Sequence, residues 1–470
     1  MRLIDVFTPR RPRVGIVSLY YAFFDAQMPP GFRQSLEIVA SDYAEALSDE
    51  FEVVYAGMLC DDEDGRRANA ALAASALDAI VVVPAMAAPP TPVMRSLEGI
   101  AAPLVIWNAP RIAAIAPHLT QKEATVHTTA VACVMLANTL LREGRRFAVV
   151  TANPTDLVAM TELRRSIKAV AAASALLGAT ALRVGEVMAG YSDVEASAAQ
   201  LSELGVTERY VHMEELNAAF SEVSKDEPQI LLQEVARKGW RHTPGEQDLQ
   251  SARLALTLER LMDANDASFG TVNCHSPFFR GNTLIGITAC LGVSLLGASG
   301  RPLSCTGDQP TALALQLAKA LSGRALYSEF YTPELSTGLM LLAAGGEGDY
   351  TWSRPNTTPH LQPNGHYPGA IGEGASLSFE VDQVPATVLS LSPLDHGWRL
   401  SWATGEIVES RYPGMGGPNA MFRFDSGHVR DTGSAWISSG ATHHHALAHG
   451  RLDVEIPLLA AALGVEALRV

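Results

Sequence analysis

The chain is poor in several things that would have marked its function. It has five cysteines in 470 residues (Cys60, Cys133, Cys274, Cys290 and Cys305), and no two stand in Cys-x-x-Cys spacing. A zinc ribbon and a disulfide framework are both excluded by that pattern. Cations are scarce, with 35 Lys plus Arg against 50 Asp plus Glu and a formal net charge of −15. Contact with phosphate backbones or anionic lipid needs a basic surface, so no nucleic-acid or membrane partner is expected. A small anionic substrate in a local basic pocket stays open. No apolar run reaches the ~18 residues of a spanning helix, and the opening MRLIDVFTPRRPRV lacks the apolar core of a signal peptide. A cytoplasmic protein is expected. The loop after the first strand, SLYYAFFD, has no Gly-x-Gly-x-x-Gly, which argues against a dinucleotide site. No repeat of 20 to 50 residues is visible.

What is present is core. Hydrophobic residues make up 47% and charged residues 18%, and at roughly 150 residues per domain the length suggests three domains. The first 150 residues alternate short Val/Ile runs (14–19, 51–56, 78–85, 104–107 and 147–151) with helical stretches, the pattern of a parallel sheet buried on both faces, and the first domain is expected over 1–142. The acidic tract Asp61–Asp64 reads as a solvated turn, with a metal loop as the alternative. Residues 143–325 repeat the α/β alternation, with a strand over 302–305, a helix over 284–296 and another over 311–321. From 326 to 470 helical periodicity fades. Alternating strands such as SLSFEV (376–381), ATVLSL (386–391) and GWRLSWA (397–403) are separated by Gly/Pro turns, GGEGD (345–349) and PGMGGPN (413–419), with a closing helix over 454–463. The fold class is α/β: two doubly wound parallel-sheet domains followed by a mostly antiparallel β domain.

Segment 272–331 resembles the core of the L-fucose and L-arabinose isomerases. Its Cys305-Thr306-Gly307-Asp308 is similar to the family's Glu-Gly-Asp motif, Leu321-Ser322-Gly323-Arg324 to its helix end, and Glu329 in SEFYT to the acidic residue on the following strand. RVGEVMAGYSDVEAS (183–197), SGATHHHAL (439–447) and TVHTTAVACVMLANTL (125–140) resemble further family segments, in the same order along nearly the whole chain. The resemblance implies a divalent ion, usually Mn²⁺, held by two carboxylates and imidazole. It implies a homo-oligomer, trimer or hexamer, with His127 reaching a neighbouring subunit's pocket. Carried over residue by residue, Glu329 is an acid/base and metal-binding carboxylate, and His444 is a metal-binding imidazole with His443 beside it. The first carboxylate position is Thr306, and a further family His falls in 338–349, which has none and places Ala344 there. Two of four ligands are unmatched.

The chemistry implied is metal-assisted aldose–ketose isomerisation through an enediol, on a sugar or related polyhydroxy carbonyl compound. A base moves a proton between adjacent carbons while an electrophile stabilises the oxyanion. The alternative is a paralogue with an altered site, binding a sugar-like ligand or running another metal-assisted step such as elimination or epimerisation. Asp308 can make good the lost carboxylate, as metal ligand and catalytic acid. If 304–308 continues as a strand, Thr306 and Asp308 share a face. Equally, Asp308 can cap the next helix. Glu329 alone reads as a strand-edge acid. In the run His443-His444-His445, alternate rings face opposite sides of a strand, with packing and surface placement as the bland outcome. Cys274-His275 follows a strand, where open α/β sheets bind ligands. His275 is the better pocket residue, because adjacent side chains on an extended chain point apart. His127, His275, Thr306 and His443 are thus substrate-binding candidates. Arg280, Trp107 and Asn108 can line the pocket, whereas Trp352, Trp398, Trp402 and Trp436 read as packing.

Overall fold

The computed structural model describes residues 3–365, 374–409 and 415–470. The chain gathers into two compact units: Arg10–Ser174 with Val454–Val465, and Met1–Pro9 with Ala175–Asp453 and Glu466–Val470.

In the first unit, β1 (Arg13–Leu19), β2 (Glu52–Leu59), β3 (Ala79–Pro84), β4 (Leu104–Asn108) and β5 (Phe147–Thr151) form a parallel sheet in the order β2-β1-β3-β4-β5. Side chains alternate across it, as period 2 demands. Val14, Ile16, Val81, Val83 and Val105 enter one core with Leu163 and Ile167 of helix Leu157–Ala172. Val17, Leu19, Ile80, Val82 and Ile106 enter another with Leu72, Leu136 and Leu140. Continuous apolar runs are therefore needed, because both faces are covered. The acidic tract is a helix start: Asp61 accepts from the amides of Glu63 and Asp64 and caps helix Asp62–Ala73. The helix expected at the C-terminus is Glu455–Leu463, and it belongs to this unit, where Glu455 Oε1 pairs with Arg165 Nε at 2.7 Å.

In the second unit, β6 (Thr180–Val184), β7 (Thr207–Val211), β9 (Ala267–Val272) and β10 (Leu303–Ser304) form a parallel sheet ordered β10-β9-β6-β7. Gly270 is required there, since a Cβ on it would lie 2.1 Å from the Leu182 carbonyl oxygen on β6. A small sheet joins β8 (Arg241–His242) to β13 (His360–Pro363) and β14 (Ala375–Ser378). The antiparallel module follows: β11 (Ala325–Glu334), β12 (Leu339–Ala343), β15 (Pro385–Pro393), β16 (Trp398–Glu409), β17 (Asn419–Phe424) and β18 (His444–His449). Their order is β15-β18-β11-β12-β17-β16, and β15 pairs with β16 from Pro385 to Pro393, which closes six strands into a barrel. β19 (Glu466–Arg469) adds to β16 in parallel. Leu326, Met340, Leu342, Val388, Ala403, Ile407, Phe422, Phe424 and Leu447 share its buried face. Trp352, Trp398, Trp402 and Trp436 are all buried, as packing residues. Among the described residues no helix is long and apolar enough to cross a membrane.

Three local expectations are corrected. The strand expected over 302–305 is Leu303–Ser304 and does not continue to Asp308, and the helix expected from 284 begins at Cys290. Asn282 delays it, its Oδ1 accepting from the amides of Leu284 and Ile285 and holding them in a turn. The strand expected over 376–381 ends at Ser378. Of the expected turn 413–419, Pro413 and Gly414 lie outside the described residues.

Candidate functional site

Strands β11 and β18 are antiparallel neighbours with Glu329 opposite His444, so their side chains leave the same face of the barrel wall. That face packs against helix Gln309–Ser322. The helix starts at Asp308, whose Oδ1 accepts from the Thr311 amide at 2.8 Å and whose Oδ2 accepts from the Thr311 hydroxyl at 2.9 Å. Asp308 is a helix cap, and it is also more than that. Its Oδ2 lies 2.7 Å from His444 Nδ1, while His444 Nε2 lies 3.7 Å from Glu329 Oε1. A carboxylate accepts and does not donate, so Nδ1 carries the hydrogen and Nε2 turns toward Glu329. Burial disfavours charge on the His444 ring, but the hydrogen bond to Asp308 and the nearby Asp308, Glu329 and Glu347 charges outweigh it and raise its pKa above 6.5. Glu329 sits on an interior strand between β12 and β18, with 32% of its side chain exposed. It is not an edge acid.

The approach to Asp308 is a tight turn. Thr306 and Gly307 hold φ of 57° and 78°, and the Asp308 amide donates to the Cys305 carbonyl at 3.0 Å. A Cβ on Gly307 would lie 2.8 Å from Val187 Cα, so only glycine fits. Thr306 and Asp308 therefore do not alternate as in a strand. The Thr306 hydroxyl donates to the Cys305 carbonyl at 2.8 Å, so it does not stand in for a carboxylate. Both Asp308 oxygens are engaged, which turns that residue toward orienting His444.

Glu347 is the group that sequence reasoning missed. It lies just beyond β12 in the glycine-rich loop, 3% exposed, with Oε2 3.9 Å from Cys290 Sγ. Burial, with the Cys274 and Glu329 charges adding to it and His444 opposing, pushes its carboxyl up to about 7. The signal was a lone acid between glycines in a segment read only for a missing His. Tyr327, two residues before Glu329 and on the same face, packs its ring 4.9 Å from that of His444 at a tilt of 40°; burial holds its hydroxyl well above its usual value.

The remaining candidates do not all join this centre. The His443 ring lies 3.7 Å from that of His444 and its Nδ1 lies 2.7 Å from Asp193 Oδ2. Tyr191 meets it edge-on and lines an open cleft of about 420 Å³ with Glu186, Met188, Ser192 and Glu195. His275 is buried at the carboxyl end of β9, its backbone amide donating to Asn273 Oδ1 at 3.1 Å. His445 points to the other face, into the barrel, beside Phe330 and Trp436. His127 lies in the other compact unit, as do Trp107, buried with Nε1 donating to the Ala152 carbonyl at 2.9 Å, and Asn108. The Arg280 side chain is outside the description. Among the described residues no three His, Cys, Asp or Glu side chains converge in metal-binding geometry.

Comparison with known proteins picks out the same barrel. Residues 324–466 match the L-arabinose isomerase C-terminal domain. An L-arabinose isomerase from Acidothermus cellulolyticus is 25% identical over 181 residues, covering 37% of this chain and 36% of that protein. The match thus spans about a third of that relative's length. An ABC transporter solute-binding protein from Burkholderia multivorans shares 13% identity over 56% of this chain and 80% of its own, with a TM-score of 0.17, too low to mark a common fold.

Proposed function

We propose that this chain, which its C-terminal domain makes a member of the L-fucose/L-arabinose isomerase family, isomerises an aldose to a ketose through an enediol, on a sugar or related polyhydroxy carbonyl compound. The observation that carries the reading is His444 held between Asp308 and Glu329 with buried Glu347 close by. Glu329, partly open to solvent, is placed to take the proton from the carbon next to the carbonyl. Glu347 at about 7 is divided between acid and carboxylate near neutral pH, the state suited to returning it. His444, fixed by Asp308, turns Nε2 toward Glu329, where without a cation its N–H would steady the developing negative charge. His275, Thr306 and His443 surround this centre as contacts for the sugar hydroxyls.

Glu329 and Nε2 of His444 would hold Mn²⁺ or another hard divalent cation through two protein donors. When bound, the cation polarises adjacent sugar oxygens. Asp308 then serves as the carboxylate behind the imidazole. The same reading makes the protein a cytoplasmic homo-oligomer, trimer or hexamer, with His127 completing a neighbour's pocket. Light scattering giving a monomer of 50.1 kDa would count against that part.

The experiment is a panel of aldoses with Mn²⁺, read as ketose formed. Wild type is expected to turn over at least one. Glu329→Gln is expected to lose about 100-fold or more, the usual worth of a positioned base. The Thr306 hydroxyl, turned to its own backbone, favours a second reading in which a sugar-like ligand is bound without isomerisation. Saturable sugar binding with no ketose from any aldose would give that reading the lead.

A further inference from the structure

Glu347 stands between Gly346, which holds φ of 146°, and Gly348. Such a segment has little conformational preference of its own, so what fixes Glu347 lies outside it. Helix Cys290–Ala298 meets the loop with two side chains one turn apart on one face. Cys290 Sγ lies 3.9 Å from Glu347 Oε2, and Ser294 Oγ accepts from the Gly348 amide at 3.0 Å. The next residue, Asp349, meets helix Gln309–Ser322: its Oδ2 accepts from Lys319 Nζ at 2.7 Å. The same oxygen accepts from the Ala325 amide at 3.4 Å, and Oδ1 accepts from the amide and hydroxyl of Thr351 at 3.0 and 2.6 Å. The Lys319 ammonium also faces the Phe7 ring, 5.5 Å from its centroid. The side chains of Lys319 and Asp349 are 2% and 1% exposed.

A buried ion pair is a weak source of stability, because desolvating two charges cancels most of their attraction, and uncharged residues of similar volume often serve as well. What the pair supplies is direction. An ammonium and a carboxylate taken out of water have to meet, and the backbone between them has one place to go. We propose that Lys319 and Asp349 are positioning residues, whose ion pair, together with Ser294, pins the loop 345–349 and keeps the Glu347 carboxyl in its buried place. The consequence for catalysis rests on the role given to Glu347 above; the pinning of the loop does not. Helix Gln309–Ser322 then serves both sides of the centre. Asp308 at its start orients His444, and Lys319 near its end places the loop that carries Glu347.

The test compares the full chain with two variants. Lys319→Met combined with Asp349→Asn removes both charges and keeps an oxygen for Thr351, and Ser294→Ala removes the Gly348 contact alone. Hydrogen exchange read by mass spectrometry is expected to be slow over 345–349 in wild type. The double variant is expected to lose that protection while the barrel strands keep theirs and the urea midpoint stays near that of wild type. Ser294→Ala is expected to speed exchange in the same segment to a smaller extent. With an aldose that wild type isomerises, kcat of the double variant is expected to fall about 100-fold with KM unchanged, the effect of a misplacement of about 1 Å. Unchanged exchange over 345–349 in both variants, a loosened loop with unchanged kcat, or global unfolding of the double variant would each overturn the proposal. If wild type isomerises no aldose, the reading of function fails, and the exchange measurement alone still decides whether the pair pins the loop.

Discussion

His445 is the residue whose chemistry is least expected from its type. It is fully buried inside the barrel, both ring nitrogens without a hydrogen-bond partner among the described residues, and burial, together with the His444 and His443 charges, lowers its pKa to about 3. The folded protein keeps it neutral while the unfolded chain protonates near 6.5. The stability it contributes is present above pH 6.5 and is lost as pH falls toward 3, on the order of 5 kcal/mol over that window. His445→Phe removes the titration and two orphaned polar atoms. Urea denaturation at pH 7 and pH 5 is expected to show a smaller acid loss in the variant. Glu347 has the opposite sign. Its carboxyl is raised from 4.5 to about 7, so its contribution is complete below 4.5 and falls as pH rises through 7, by about 3 kcal/mol. Glu347→Gln is expected to flatten stability between pH 4.5 and 7, and to remove a limb near 7 from the pH profile of catalysis.

At the scale of the element, helix Gln309–Ser322 connects fold to His444 through one side chain. Asp308 caps it and orients His444. Asp308→Asn keeps an oxygen for the Thr311 amide and loses the charge, so the His444 pKa is expected to drop with little change in stability. Asp308→Ala loses both and is expected to cost about 1–2 kcal/mol. Imidazole titration by NMR with chemical denaturation separates the two effects. The helix itself was legible from its apolar spacing. Its cap was legible as a choice between two roles, because Asp before Thr and Pro invites a cap and a family motif invites a site. Both hold. The turn at Thr306–Gly307 was not legible: positive φ at a β-branched residue runs against local preference. Glu329 and His444 fall on neighbouring strands because the 114 residues between them wind round a barrel. Only the family resemblance brought the two together; spacing alone could not.

For the whole molecule, parallel sheets followed by an antiparallel module were readable from the change in hydrophobic period after 325. The closure of that module was not, since β15 meeting β16 completes a ring that no local pattern announces. Nor does local pattern send helix Glu455–Leu463 to the first unit. The division into 1–142, 143–325 and 326–470 is a proposal about how the chain comes apart. Limited proteolysis is expected to cut near 142 and near 325 first; cuts within the barrel strands ahead of those would contradict it.

The central claim is that Glu329, His444 and Glu347 form a proton-transfer centre for a polyhydroxy carbonyl compound. It is tested most directly by incubating the protein with Mn²⁺ and an aldose panel in heavy water and following deuterium at C2 by NMR. Wild type is expected to exchange the C2 hydrogen of at least one aldose. Glu329→Gln and Glu347→Gln are expected to slow that exchange by about 100-fold or more while still binding the sugar. Exchange that survives both substitutions, or sugar bound with no exchange in wild type, would contradict the account.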